Sequence, residues 1–547
     1  MNAPHRTVAV ALALAVAAVA FAAPEPALYF GDQGVRHHTV TTTSPEAQRY
    51  FDQGLTLCYG FNHLEAIRSF EQAAKADPAC AMAYWGIAYA NGPHINNPEM
   101  SEEANGTAFA ALARARELNE RVTPLERSLI EALSKRYAEQ RPEDLKPLNE
   151  AYAAAMREVW RAHPGDPDVG VIFAESLMNL RPWDLWTPDG QMQPGTGELI
   201  ATLDAVIAME PGHPAANHFY IHAIEASPTP EKALDAANRL RDAVPWAGHL
   251  VHMPSHIDIR LGHYGDAVAA NQKGIASDVA YVSQAGREGF YTIYRAHNYH
   301  FLAYAAMFDG RREVAMQAAR DMVSEIPAEV VREFPDFLES FLGVPYHVMV
   351  RFGMWEELLA EPEPAADLLA TRAMWHYGRT MALSSLGRTE EGAREFAALE
   401  AAAAAVPESR TIGNNPTSEV LEIGRKLAEG ELEYRRGEYE RAFALLREAV
   451  RLDETLRYDE PWGWMQPVRH ALGALLLEQG RIEEAEQVYR EDLELHPRNG
   501  WALVGLAECL ERSGRSEDAT RIRGEFRDAW ARADIPLQVS CLCRRGA

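Results

Sequence analysis

Histidines are concentrated in one stretch of this 547-residue chain. Nine of the 19 histidines lie between residues 213 and 300, where an even distribution would place about three. Two pairs share a spacing, because His218 and His222 are followed 34 residues later by His252 and His256. Imidazoles four residues apart lie one turn apart on a helix face and can bind one metal ion. The spacing is therefore typical of a metal-binding site.

Neighbouring residues extend these pairs. Glu225 adds a carboxylate one turn after His222, which gives a possible two-histidine, one-carboxylate ligand set for zinc, iron or copper. No H-E-x-x-H motif is present, since Phe219 stands where the general-base glutamate would be, so zincin-type proteolysis is not supported. The predicted metal ligands are His218, His222, His249, His252, His256, His297 and His300.

A repeat unit positions these side chains. In the first unit Gly54, Ala66, Phe70, Ala73 and Pro78 are separated by 12, 4, 3 and 5 residues, within two amphipathic segments. This pattern resembles the tetratricopeptide repeat, a 34-residue helical hairpin with small residues and a proline at fixed positions. The register returns downstream at Pro164, Pro211, Pro245, Pro327, Ala442, Ala485 and Ala519.

The resemblance implies an all-α, tetratricopeptide-type helical-hairpin solenoid that winds into a right-handed superhelix. In that family, positions 2, 5, 9, 12 and 13 of the first helix line the concave groove. The seven histidines occupy positions 2, 5 and 9 of three units, so we expect them to share one groove. Glu225, Arg260 and Tyr304 occupy further groove positions and are the candidate catalytic residues. Glu225 would act as ligand or general base, and Arg260 or Tyr304 would orient a substrate.

Five segments are predicted along the chain. Residues 1–22 have the features of a signal peptide, with Arg6, an apolar run and an Ala20-Phe21-Ala22 cleavage site, which predicts a periplasmic or secreted protein. Residues 23–43 form an N-terminal extended segment. Two repeat arrays follow at 44–360, which contains the histidine-rich groove, and at 366–535. The tail, 536–547, carries a C-x-C motif that could bind a soft metal, form a disulfide or have no function.

Charge and hydrophobicity restrict the partners. The formal net charge of −26 argues against nucleic-acid binding through a basic surface. Beyond the signal peptide, no apolar run approaches the ~18 residues that span a bilayer, so stable membrane insertion is not expected.

Three functions fit these observations. The first is an exported solenoid that binds a transition metal (Zn, Cu or Fe) in its groove, with or without metal-dependent catalysis. The second is a metal-independent scaffold that binds a peptide or protein in the same groove. The third is a metal storage or delivery protein.

Overall fold

Helices make up nearly all the regular secondary structure. The computed structural model describes residues 27–286 and 291–544, so the predicted signal peptide lies outside the described residues. The helices of the N-terminal part are α1 Pro45–Tyr59, α2 His63–Ala76, α3 Ala81–Ala90, α4 Glu102–Glu117, α5 Pro124–Leu133, α6 Lys146–Ala162, α7 Pro167–Met178, α8 Thr196–Met209, α9 Pro214–Ile224, α10 Leu234–Leu240, α11 Gly248–His252, α12 Pro254–Arg260, α13 Tyr264–Ala285 and α14 Tyr291–Phe308.

The remaining helices are α15 Arg312–Glu325, α16 Ala328–Glu333, α17 Pro335–Leu338, α18 Val344–Arg351, α19 Trp355–Ala360, α20 Leu369–Ser385, α21 Thr389–Ala404, α22 Thr417–Arg435, α23 Tyr439–Glu454, α24 Val468–Glu478, α25 Ile482–Leu495, α26 Gly500–Arg512 and α27 Ser516–Ala529. Short 3-10 helices cover Asn119–Arg121, Pro230–Ala233 and Glu339–Gly343. The strands β1 Thr411–Ile412 and β2 Asn415–Pro416 pair as a small antiparallel hairpin. None of the helices within the described ranges has the length and apolar character to cross a membrane.

The helices pack in consecutive pairs, such as α1 with α2, α14 with α15 and α22 with α23. Local sequence fixes their ends: the Ser44 side chain accepts a hydrogen bond from the Ala47 amide at the start of α1, where Pro45 takes the first helical position. One helix pair cannot bury its own apolar face, so each pair packs on the next. The predicted all-α helical-hairpin solenoid is confirmed.

Small residues of the repeat allow this close packing. Phe70 of α2 is fully buried between Gly54 of α1 and Gly86 of α3. A Cβ atom at position 86 would lie 2.4 Å from Cδ1 of the Phe70 ring, and one at position 54 would lie 2.7 Å from its Cε1. The two glycines therefore form the space that the aromatic ring fills.

Two stretches interrupt the helices near the histidines. Residues 179–195, between α7 and α8, and residues 455–467, between α23 and α24, contain no helix. The break after His252 follows from Pro254, which ends α11 and takes the first position of α12. One apolar core joins the two halves of the chain, because Met465 and Trp501 pack with residues of α12 to α15. The indole Nε1 of Trp501 donates to the Met307 carbonyl at 2.9 Å.

We predict that Gly86→Ala destabilises the protein by about 1–3 kcal/mol, because the added methyl group overpacks the Phe70 site. Gly106→Ala is the matched control, since Gly106 is an exposed residue of α4 with no atom within 4 Å of the new Cβ. That substitution should be neutral or should stabilise by about 0.5–1 kcal/mol. Urea unfolding followed by circular dichroism measures both, and a Gly86→Ala midpoint equal to that of Gly106→Ala would show this packing account to be wrong.

Candidate metal centre

Six of the seven predicted histidines lie together. The first histidine set comprises His218 and His222 of α9 with His249 of α11. The second histidine set comprises His252 of α11, His256 of α12 and His297 of α14. Within each set, one ring nitrogen from each histidine lies within 4.8 Å of the others. The sets adjoin, since the ring centroids of His249 and His252 are 5.5 Å apart.

Hydrogen bonds at Nδ1 fix two imidazoles of the first set. His218 Nδ1 lies 2.7 Å from the Tyr59 carbonyl oxygen, and His222 Nδ1 lies 2.7 Å from Oε1 of Glu225. Carbonyl and carboxylate oxygens only accept hydrogen bonds, so both Nδ1 atoms carry the proton. The Nε2 atom of each ring is therefore left with its lone pair free for a ligand.

The second set is fixed in the same way. His256 Nδ1 donates to Oε2 of Glu225 at 2.7 Å. His252 Nδ1 lies 2.9 Å from Oδ1 of Asn271, whose amide group donates to the Ala267 carbonyl. This second bond orients the Asn271 oxygen toward His252 as an acceptor. Glu225 thus links the two sets, with one oxygen bonded to each.

The Nε2 atoms converge inside each set. Those of His252 and His256 are 2.8 Å apart, and those of His252 and His297 are 3.1 Å apart. In the first set, Nε2 of His249 lies 3.2 Å from Nε2 of His218. Since His252 and His256 both donate through Nδ1, their neutral rings place two lone pairs against each other. A shared cation relieves that repulsion.

Burial favours the uncharged form of five of the six imidazoles. Desolvation, and then repulsion from neighbouring imidazoles, lowers the pKa of His218, His249, His252 and His297 well below the ordinary value. Desolvation also lowers the pKa of His256, although the adjacent Glu225 raises it. Neutral imidazole is the form that binds a metal.

Glu225 is held as a carboxylate. Burial opposes its ionisation, yet His256 and His222 hold its pKa well below the ordinary range. The hydroxyl of Tyr458 also donates to Oε2 of Glu225 at 3.2 Å. Glu225 therefore lies behind the histidines and positions two of them.

The second half of the chain supplies another carboxylate. Glu460, from the 455–467 segment, contacts Nδ1 of His256, and its Oε1 lies 3.9 Å from Nδ1 of His222. Together with Glu225 these residues form a further group with possible ligand atoms within 4.8 Å of one another. The sequence reasoning missed Glu460, because it lies in a loop more than 200 residues away and follows no repeat position.

Other candidates lie outside the two sets. His300 faces away, with Nε2 3.2 Å from the Met465 sulfur. Arg260 donates to the Ser227 carbonyl, and its guanidinium lies 5.8 Å from the centre of the Tyr458 ring. Tyr304 packs against Phe308 at a ring distance of 4.8 Å. The structure therefore does not bring His300 or Tyr304 to the histidine sets, and Arg260 contacts the ring of Tyr458, whose hydroxyl donates to Glu225.

The side of the first set is covered by the 179–195 segment. The Trp183 ring packs edge-on against His222, with centroids 5.4 Å apart. Trp186 anchors the same segment, because its Nε1 donates to the Ala223 carbonyl at 2.8 Å.

The C-terminal tail lies elsewhere: Cys541 and Cys543 form a disulfide, and Arg435 of α22 donates to the Cys543 carbonyl.

A buried carboxylate anchors the backbone behind His218. Asp168 of α7 accepts hydrogen bonds from the Tyr59 hydroxyl at 2.8 Å and from His213, His38 and Arg36. Although burial opposes its ionisation, the bonds from His213, His38 and Arg36 lower the pKa of Asp168 well below the ordinary value. Asp168 therefore fixes Tyr59, and the carbonyl oxygen of Tyr59 orients the His218 ring.

We predict that Asp168→Asn costs about 3–5 kcal/mol at neutral pH, because it leaves buried donors without their anion. Glu210→Gln removes the other, more exposed carboxylate bound to Arg36 and should cost only about 0–1 kcal/mol. Because the pKa of Asp168 is depressed, the stability that Asp168 adds relative to asparagine is fully present above pH ~4 and declines as the pH falls below that value. Urea denaturation of both variants across pH measures this, and equal losses at neutral pH would contradict it.

Comparison with known proteins agrees with the repeat pattern. Family models described as tetratricopeptide repeat match residues 51–91 and 476–522. No curated protein matches the chain.

Solved structures of the human IFIT1 dimer are similar at low identity. The dimer with m7Gppp-AAAA is 12% identical over 90% of this chain and 91% of that chain, with a TM-score of 0.32. The dimer with PPP-AAAA is 11% identical over 86% and 88%, also with a TM-score of 0.32. The two matched segments support membership of the tetratricopeptide-repeat superfamily.

Proposed function

We propose that this protein binds two transition-metal ions, one at each histidine set. The observation that carries the proposal is the 2.8 Å approach of Nε2 of His252 to Nε2 of His256. Both rings donate through Nδ1, so neither neutral ring has a proton to place between these two atoms. Burial disfavours a protonated imidazole here, and a metal ion supplies the positive charge instead.

Charge balance supports the same conclusion. Glu225 is fully buried and Glu460 is 8% exposed. Across the part of the chain that the structure describes, the ion pairs of these two carboxylates are with His222 and His256 only. A buried carboxylate such as that of Glu225 is costly unless positive charge compensates it. Two metal cations in the adjoining sets would provide the compensation.

The ligands indicate the class of metal. Imidazole nitrogens suit zinc, copper and iron, whereas carboxylate-rich or carbonyl-rich sites suit calcium and magnesium. A set of three histidines leaves a coordination position for water or a substrate. Metal-dependent catalysis and metal storage or delivery both fit this arrangement, and measured turnover of a substrate would separate them.

A metal-independent peptide scaffold is the second candidate. The tetratricopeptide repeats favour it, because such solenoids present an extended concave binding surface. The burial of the predicted groove residues disfavours it at this site. Five of the six histidines are at most 3% exposed, and the chain's own Trp183 and Glu460 contact them. A peptide would have to displace these contacts to reach the histidines.

Export is part of the proposal. The charged N-terminus, the apolar run and the Ala20-Phe21-Ala22 site support secretion into the periplasm or the medium. N-terminal sequencing of protein recovered from those fractions is the direct test. A chain that begins at Ala23 supports export with cleavage, and an uncleaved chain retained in the cytoplasm contradicts it.

We predict that protein purified without an affinity tag contains about two equivalents of zinc, copper or iron, one for each three-histidine set. His249→Gln should remove the first ion and His297→Gln the second, because each substitution leaves only two imidazoles in its set. His347→Gln is the matched control, since His347 is another buried histidine that packs against Trp464. Elemental analysis by mass spectrometry measures the metal content of all four proteins.

Circular dichroism and thermal unfolding establish that each variant is folded before its metal content is compared. Loss of metal in the two ligand variants, with full content in His347→Gln, supports the proposal. A folded wild-type protein that contains no transition metal, and takes up none in equilibrium dialysis, contradicts it. Co-purification of a peptide with that metal-free protein would instead support the scaffold.

A further inference from the structure

A second buried polar cluster surrounds Phe308, at the end of α14. Arg351, the last residue of α18, is only 5% exposed, and its guanidinium lies 5.8 Å from the centre of the Phe308 ring. Tyr264 stacks on the same ring, with centroids 4.8 Å apart. A guanidinium group and a phenol ring thus pack against one aromatic side chain in the interior of the protein.

The arginine has no anionic partner. Its Nη1 donates to Nδ1 of His470 at 2.9 Å, and His470 in turn donates through Nε2 to Asp492 at 2.8 Å. Within residues 27–286 and 291–544, Arg351 forms no salt bridge. Burial lowers the pKa of Arg351 to about 9, even though Asp492 and two tyrosines raise it. The neutral imidazole therefore separates the arginine from the nearest carboxylate.

One edge of the guanidinium is free. Nε and Nη2 of Arg351 are buried and have no hydrogen-bond partner among the described residues. These two nitrogens form the side of the guanidinium that binds both oxygens of a carboxylate, and this side is called the fork below. The group is held in place from its face, because its central carbon lies 3.8 Å from the centre of the Trp501 ring. The fork is therefore preorganised for a planar anion.

Tyr264 supplies a third unused donor. Its hydroxyl is buried and has no partner in the described part of the chain. Burial raises the pKa of Tyr264 well above its ordinary value, although the charge of Arg351 lowers it, so the hydroxyl keeps its proton. Buried donors without acceptors are costly, and a bound oxyanion would satisfy all three.

We propose that the Nε and Nη2 edge of Arg351, with the hydroxyl of Tyr264, binds the carboxylate group of an organic-acid ligand. The planar two-oxygen geometry of a carboxylate matches the fork, and the single positive charge matches a single negative one. This site uses none of the residues of the histidine sets. It therefore stands whether or not those sets bind metal.

Isothermal titration calorimetry with succinate tests the site in the full-length protein, with inorganic phosphate as the second probe and sodium chloride as the ionic-strength control. We expect one succinate per chain. Arg351→Lys keeps the charge but removes the fork, so it should weaken binding by at least about tenfold. Tyr264→Phe removes one donor and should weaken binding by about fivefold. Arg435→Lys is the control, since Arg435 is equally buried but already paired with Glu431.

Each outcome decides the proposal. Succinate binding that is lost in Arg351→Lys, reduced in Tyr264→Phe and retained in Arg435→Lys supports it. Absence of binding to the folded wild-type protein, equal binding by Arg351→Lys, or tighter binding of phosphate than of succinate overturns it. A variant carrying both His249→Gln and His297→Gln should bind succinate like the wild type, which separates this site from chelation of a metal. If Arg351→Lys fails to fold, the Tyr264→Phe result decides.

Discussion

The carboxylate of Glu225 is the interaction on which the candidate site depends. One of its oxygens accepts a hydrogen bond from His222 and the other accepts one from His256, so a single buried side chain fixes an imidazole in each histidine set. Both bonds place the proton on Nδ1 and leave Nε2 for a ligand. Glu225 occupies the C-terminal end of α9, one turn after His222, and reaches α12 across the space between two repeats. The repeat architecture therefore shapes the candidate site chiefly because it brings equivalent helix positions to one carboxylate.

The second half of the chain completes this arrangement. The 455–467 segment brings the Tyr458 hydroxyl to Glu225 and the Glu460 carboxylate to His256. Met465 of the same segment is fully buried in the core that joins the halves. Unfolding or displacement of that segment would expose two carboxylates and the histidines together. Stability of the core and integrity of the site are thus coupled, since the groove is covered by the protein itself.

The repeat pattern predicted the fold and much of the site. The 34-residue offset between His218 and His252 is one repeat length, so equivalent helix faces carry equivalent histidines, and the structure brings both pairs together. Periodicity could not predict Glu460 or the Tyr59 carbonyl, because a loop residue and a backbone oxygen reach the site through tertiary packing. It also grouped His300 with the ligands by register alone, whereas the His300 ring lies against the Met465 sulfur, outside both sets. The small hairpin at β1 and β2, within the predicted 366–535 repeat array, likewise has no repeat signal.

The central claim is that metal binds at Nε2 of two adjoining histidine sets. The most direct test is a crystal structure of the untagged protein, with anomalous diffraction recorded above and below the absorption edge of the metal identified by elemental analysis. The account predicts two anomalous peaks, each about 2.0–2.1 Å from Nε2 atoms of one histidine set. A protein with no anomalous peak in this region, or with a single peak on the Nδ1 side between Glu225 and Glu460, would contradict it.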